Sequence, residues 1–400
     1  MFRQLPALRV VPPAVIAASL LASPVAAGVK LITLPARERV EIRLDHPDAT
    51  LVEEERVVPL AQGVNDVVFA WANTNIDRHS IQFRCLTDPD NIKVLSVSYP
   101  PGENALTWQV YAPQPASARV RISYIIARLD KTFAYRAVAA NDERSLTLWQ
   151  YIQLHNRANE SFGEAGMYAG FGQRLQRPIG IDQTKRLLAS KFTDVPITKT
   201  YTADLHQFGY LDPGKKQLRI PMHYVLKNDE ANGLGRFPLM HGKTRIFQDD
   251  GRGTVAFLGE DWAPFTPRDD EMKLYLGVAK DIVVKRVIKR AQRRRIVGNL
   301  YDYDVIVQYE IENFKDQPAV LDIAEAMPAL RAEALSGHVR PSDRNVQWTL
   351  NEEGSLALLI DAEKSTADRP VFHVALPPRG DDQKARKIVH TLNVTIRNEW

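Results

Sequence analysis

Apolar residues recur along this chain at every second position. From Tyr301 to Glu312, the residues Tyr301, Tyr303, Val305, Val307, Tyr309 and Ile311 share one parity, and Asp302, Asp304, Gln308, Glu310 and Glu312 share the other. Side chains alternate between the two faces of a strand, so the segment is a long half-buried β-strand that ends near Asn313. Val120, Ile122, Tyr124 and Ile126 repeat the pattern, as do Leu106, Trp108 and Val110. The run from Leu146 to Leu154 is apolar on both parities, with Trp149 and Tyr151 opposite the aliphatic set. Shorter strands are expected at 218–226, 244–247, 254–258, 272–276, 346–350, 356–360 and 388–396. Turn signals separate them, among them Asp212-Pro213-Gly214, Asn232-Gly233, Asp249-Asp250-Gly251 and Glu353-Gly354.

Short strands, frequent turns and no crossover helices define an all-β chain rather than a parallel α/β sheet. The expected organisation is two or three tandem β-sandwich-like domains after a signal peptide. Residues 28–104 form an N-terminal β domain and 105–215 a middle sandwich with an insertion near 173–200. Residues 216–400 form a C-terminal sandwich. Within the insertion, 182–191 reads as one short helix. The last segment places His390, Leu392, Val394, Ile396, Asn398 and Trp400 on one face. An outer-membrane barrel can end that way, but Asn398 breaks the band and no other strand carries a lipid-facing girdle.

Residues 1–27 do not fit this pattern. Arg3 and Arg9 precede an apolar stretch from Val10 to Leu21, and small residues ending Val25-Ala26-Ala27 follow. These are the parts of a cleaved export signal, and Pro12-Pro13 argue against a buried helix. The expectation is a periplasmic, secreted or surface protein beginning at Gly28. Its net charge would fall from +4 to +2, since the leader holds two basic residues and no acid. The composition is ordinary for a globular protein, with 44% hydrophobic and 25% charged residues. A single cysteine, Cys85, excludes intrachain disulfides and multi-cysteine metal sites, and its strand-like surroundings predict burial.

Between 228 and 283 a series of motifs stands in order. Asn232-Gly233-Leu234-Gly235 comes first, then Pro238-Leu239-Met240-His241-Gly242-Lys243-Thr244-Arg245-Ile246-Phe247. Phe257-Leu258-Gly259-Glu260-Asp261 follows, then Thr266-Pro267-Arg268-Asp269-Asp270-Glu271, then Leu276-Gly277-Val278-Ala279-Lys280-Asp281-Ile282-Val283. The stretch resembles the bacterial domain-of-unknown-function 4139 family, and weaker likeness extends over most of 45–400. Met240-His241 departs from the proline-rich entry of that family, and the coiled-coil insert of some relatives is absent. The resemblance implies an exported β-rich protein and no particular reaction. The motifs themselves read as turns between strands, where Asn-Gly supplies positive φ.

Chemistry is sparse. Gly242-Lys243-Thr244 is no P-loop, because Phe237 stands where the first glycine belongs. No Gly-x-Ser-x-Gly elbow and no His-Glu-x-x-His occur, though His223 and His241 could meet across a sheet. Asp249-Asp250, Glu260-Asp261 and Asp269-Asp270-Glu271 are expected in turns, where they are solvated or gather around calcium. No cofactor is implied.

The strongest charge feature is the acid-free run Lys285-Arg286-Val287-Ile288-Lys289-Arg290-Ala291-Gln292-Arg293-Arg294-Arg295. Without its seven cations the rest of the exported chain is acidic. Val284, Val287, Ile288 and Ala291 fit a helix, whereas the family context fits a long strand. Such a run attracts anionic polymers or lipid headgroups, or guards a sheet edge against aggregation. Trp262 and Phe265, expected in an acidic turn, add a secondary contact, while the other strand aromatics are expected in the core. The expected function is non-enzymatic binding of an envelope protein or an anionic glycan or lipid surface, with no nucleic acid. The binding residues are Lys285, Arg286, Lys289, Arg290, Arg293, Arg294, Arg295, Trp262 and Phe265. The alternative is a carboxylate- or metal-dependent hydrolase of envelope glycans, using Glu260, Asp261, Asp269 or Glu271.

Overall fold

A computed structural model describes residues 30–31, 34–46, 49–71, 73–168, 174–336, 346–380 and 385–399. The expected leader and Trp400 lie outside them. The described residues form 26 strands and a few helical turns, so the fold is all-β. The chain divides into two compact units, one of residues 1–42 and 51–126, the other of 43–50 and 127–400.

The first unit is a sandwich. One sheet runs Lys30–Leu31, Gly63–Ala70, Ala105–Ala112, Lys93–Ser98, and the other includes Thr50–Leu60, Ala116–Ile126 and Gln82–Cys85. Rings from both sheets interlock, with Phe69 centred 5.8 Å from Tyr124 and Phe83 centred 5.0 Å from Trp108. Cys85 is buried as expected, and its thiol donates to the Thr87 carbonyl.

The second unit stacks three sheets. Sheet I runs Thr184–Pro196, Ser145–Asn156, Leu129–Ala139, Gly242–Asp249, Val255–Ala263. Sheet II runs Glu271–Val278, Pro221–Lys227, Thr198–Asp204, Ala319–Ala324, Val371–Leu376. Sheet III runs Tyr210–Asp212, Gln217–Leu218, Ile282–Val297, Leu300–Asn313, Arg386–Glu399, Gln347–Asn351. Tyr135, Leu148 and Ile246 of sheet I pack on Tyr224, Leu226 and Leu274 of sheet II. Tyr201, Leu321 and Phe372 of sheet II pack on Val284, Val307 and Leu392 of sheet III, with Met327 and Leu330 of the helix Met327–Ala334 in the same core.

The alternation read at 301–312 is realised from 305 onward, where Val305, Val307, Tyr309 and Ile311 are buried. At its start Asp302 is buried while Tyr301 and Tyr303 are half-buried, next to a register shift in the pairing. Three local expectations are corrected. Residues 182–191 form no helix but belong to the strand Thr184–Pro196, paired along its length with Ser145–Asn156. Ladder bonding to a long neighbour outweighs the weak local helix preference of Leu187-Leu188-Ala189. Residues 356–360 carry the 3-10 turn Ala357–Leu359 instead of a strand. Trp149 and Tyr151 are not core; they lie half-buried on the outward face of sheet I, because Leu146, Leu148, Ile152 and Leu154 take the inward parity.

The motifs at 232–235 and 266–271 serve as turns. Buried Asn228 joins them: its side-chain nitrogen reaches the carbonyls of Phe237, Thr266 and Pro267, and its oxygen accepts from the Gly235 N–H at 3.0 Å. Gly235 has φ 77°, and a Cβ there would stand 2.5 Å from the Asp229 backbone. A side chain at 235 would break the turn.

Candidate functional site: a basic, uncovered sheet edge

The acid-free run is a strand. Ile282–Val297 pairs antiparallel with Leu300–Asn313, and Val297 stands opposite Leu300 across a two-residue turn. Gly298 opens that turn at φ 54°, the sign a tight hairpin needs at its first central position. A bulge between Ile288 and Arg290 bends the strand. On the outer side, Gln217 pairs with Lys285 and the Arg286 N–H donates to the Lys216 carbonyl. Beyond that point no strand among the described residues pairs with this side, and residues 289–299 are all exposed.

The predicted binding residues divide. Lys285 is half-buried opposite Glu310, whose carboxyl is held below its ordinary value chiefly by Lys387, with help from Lys285 and Lys289. Arg286 is not a surface residue, which corrects its assignment. Strand alternation sends it inward between Val284 and Ile288, where it is 1% exposed. Its Nε and Nη2 donate to Glu325 at 2.8 and 3.0 Å and its Nη1 to Glu333 at 2.8 Å, while the Tyr309 hydroxyl donates to Glu325. Burial alone would favour the neutral guanidine, but Glu325 and its neighbours outweigh burial and lock the charge on. Burial, then the Glu325 charge, push the Tyr309 hydroxyl well above its ordinary value, so it stays protonated as a donor.

Arg294 is exposed but occupied, reaching Asp302 at 3.1 Å and Asp304 at 3.4 Å. Lys289, Arg290, Arg293 and Arg295 remain on the surface. Arg293 lies 3.3 Å from the centre of the Tyr301 ring, and Arg295 donates to the Gly298 carbonyl at 2.8 Å. Ile296 and Val297 cap the hairpin, 46% and 66% exposed. The acids near this end are engaged: Asp302 and Asp304 by Arg294, Glu399 by Arg331. The end therefore combines an apolar tip, an aromatic ring and exposed cations.

Trp262 and Phe265 are exposed, at 59% and 54%; Trp262 belongs to the edge strand of sheet I and Phe265 to the loop that follows it. Trp262 and the acids Glu260 and Asp261 lie in the strand Val255–Ala263, not in a turn. Lys243 and Arg245 hold Glu260 at 2.6 and 3.1 Å, and Asp261 accepts the Tyr275 N–H. His223 packs on Tyr275 and His241 on Trp262. Among the described residues no group of three or more His, Cys, Asp or Glu side chains is placed to hold a metal ion.

The geometry defines a class: an all-β protein of stacked sheets with a cationic, apolar-tipped hairpin. Among the described residues no helix is long and apolar enough to cross a membrane. No family model matches the chain, and no curated protein matches it.

Proposed function

We propose that this chain is an exported envelope protein acting as a non-enzymatic binding module, docked on anionic lipid headgroups through the outer end of the 282–313 hairpin. The observation that carries the reading is the exposed, acid-free stretch 289–299, which ends in Ile296 and Val297. Cations near an anionic surface gain about 1 kcal/mol each, and an apolar tip adds burial in the interfacial zone. Attraction to anionic headgroups and burial of apolar residues add to each other in the interfacial zone. Export through residues 1–27 and kinship with the domain-of-unknown-function 4139 family belong to the same proposal, supported by the leader composition and by the motif order from Asn232 to Val283. The hydrolase reading has no comparable support, since Glu260 is held between two cations.

Sedimentation with vesicles tests it. The full chain should pellet with phosphatidylcholine vesicles containing phosphatidylglycerol and stay in solution with pure phosphatidylcholine. Ile296→Ser/Val297→Ser should weaken binding at least about tenfold, since each apolar side chain fully buried is worth roughly 1.5–3 kcal/mol. Equal pelleting with both vesicle types, or none with either, would end the proposal.

A further inference from the structure

Sheet I carries a second charged surface, on the face turned away from its core. Directly paired residues share a face of a sheet. One row across sheet I therefore reads Lys191, Trp149, Arg136, Arg245, Glu260. The next reads Leu188, Tyr151, Ala134, Lys243, Trp262, and beyond it Arg186 faces Gln153. Glu260 is the one acid in these rows. Basic and aromatic side chains thus interleave over the width of the sheet.

They are also in contact. The Arg136 guanidinium lies 5.0 Å from the centre of the Trp149 ring and 5.3 Å from that of Phe247. Lys191 approaches Trp149 at 5.5 Å, and Arg186 lies 4.0 Å from the centre of Tyr151. Cations held over rings keep their position while presenting donors to solvent. Beside these pairs opens a shallow cleft of about 200 Å³, lined among others by Gln153, Arg186, Lys243, Arg245 and Trp262.

We infer that this face binds an acidic polysaccharide, a chain of sugar rings carrying carboxylates. The C–H face of a pyranose ring is apolar and packs on an aromatic plane, and the exposed Trp262, backed by His241 at 5.3 Å and 13°, offers one. Lys243 and Arg245 beside it meet the carboxylate of the same sugar, sharing it with Glu260 as bridging cations. Arg136, Arg186 and Lys191 meet the carboxylates of the following sugars across the sheet. A single-stranded nucleic acid suits the face less well. Its bases need open rings, and the cations over Trp149 and Tyr151 occupy those planes.

Calorimetric titration of the full chain with polygalacturonate, neutral dextran and oligo(dT) tests this site. Polygalacturonate should bind, with affinity falling as salt rises, and dextran should not. Arg186→Glu/Lys191→Glu, both exposed on an edge strand, should weaken polygalacturonate binding at least tenfold, as should Trp262→Ala. If the charge reversal perturbs folding, Arg186→Gln/Lys191→Gln should still weaken binding severalfold with unchanged thermal unfolding. The site is independent of the lipid reading, so Ile296→Ser/Val297→Ser should leave polygalacturonate affinity unchanged. Absence of polygalacturonate binding, equal binding of dextran, indifference to these sheet I variants, or tighter binding of oligo(dT) each overturns the inference.

Discussion

Replacing Arg286 with alanine should destabilise the second unit by about 3–5 kcal/mol, the cost of stripping one partner from a buried ion pair. Glu325 would be left at 4% exposure without the guanidinium that binds both its oxygens. The Tyr309 hydroxyl still donates to it, but one neutral donor does not compensate a buried carboxylate. Thermal unfolding should shift down by roughly 10 °C, at a few degrees per kcal/mol for a domain of this size. Arg293→Ala, seven residues along the same strand but exposed, should change stability by no more than about 0.5 kcal/mol. The pair of variants separates an architectural arginine from a surface one. Wild-type melting of Arg286→Ala would show that the inward ion pair is misassigned.

Reversing Lys289, Arg290, Arg293 and Arg295 to glutamate should remove lipid binding by a factor of about 1,000 or more. Four cations at about 1 kcal/mol each correspond to roughly three decades of affinity, and added negative charge deepens the loss. Arg294 is left in place because it holds Asp302 and Asp304, so its removal would confound charge with local structure. The variant should melt with the wild type, since all four side chains are exposed. In the wild type the attraction should fade with added salt, as the screening length is only about 10 Å at 0.1 M. A loss smaller than threefold in a folded variant would place the lipid contact elsewhere.

The long strands were legible because alternation over many residues has few competing explanations, as at 301–312. The basic run was ambiguous because Val284, Val287, Ile288 and Ala291 satisfy helical spacing while the same stretch satisfies a strand. Parity alone does not choose the inward cation, because Val284 and Ile288 flank Arg286 just as Val283 and Val287 flank Lys285. Burial falls on Arg286 because Glu325 and Glu333 meet it there. Its acidic partners, Glu325 and Glu333, lie far along the chain, so the pair is a product of tertiary packing. Trp149 and Tyr151 read as core because they alternate with other strand residues, a pattern that leaves open which parity faces inward. Their parity with Thr147 and Gln153, both polar, marked the outward face. The cation–aromatic surface of sheet I was hidden for another reason. It joins residues from 136 to 262 across five strands, including the parallel pairing of Leu129–Ala139 with Gly242–Asp249. Local patterning does not encode such a pairing.

In the proposed docking, the hairpin tip enters the interface of an anionic bilayer. The most direct measurement places an environment-sensitive fluorophore there. Buried Cys85 is shielded, so Val297→Cys can be labelled selectively with a nitrobenzoxadiazole dye. Titration with phosphatidylglycerol vesicles should then give a blue-shifted, brighter emission, with no change on pure phosphatidylcholine. Emission that stays that of a water-exposed dye while the protein sediments with the vesicles would show that the hairpin tip does not enter the bilayer.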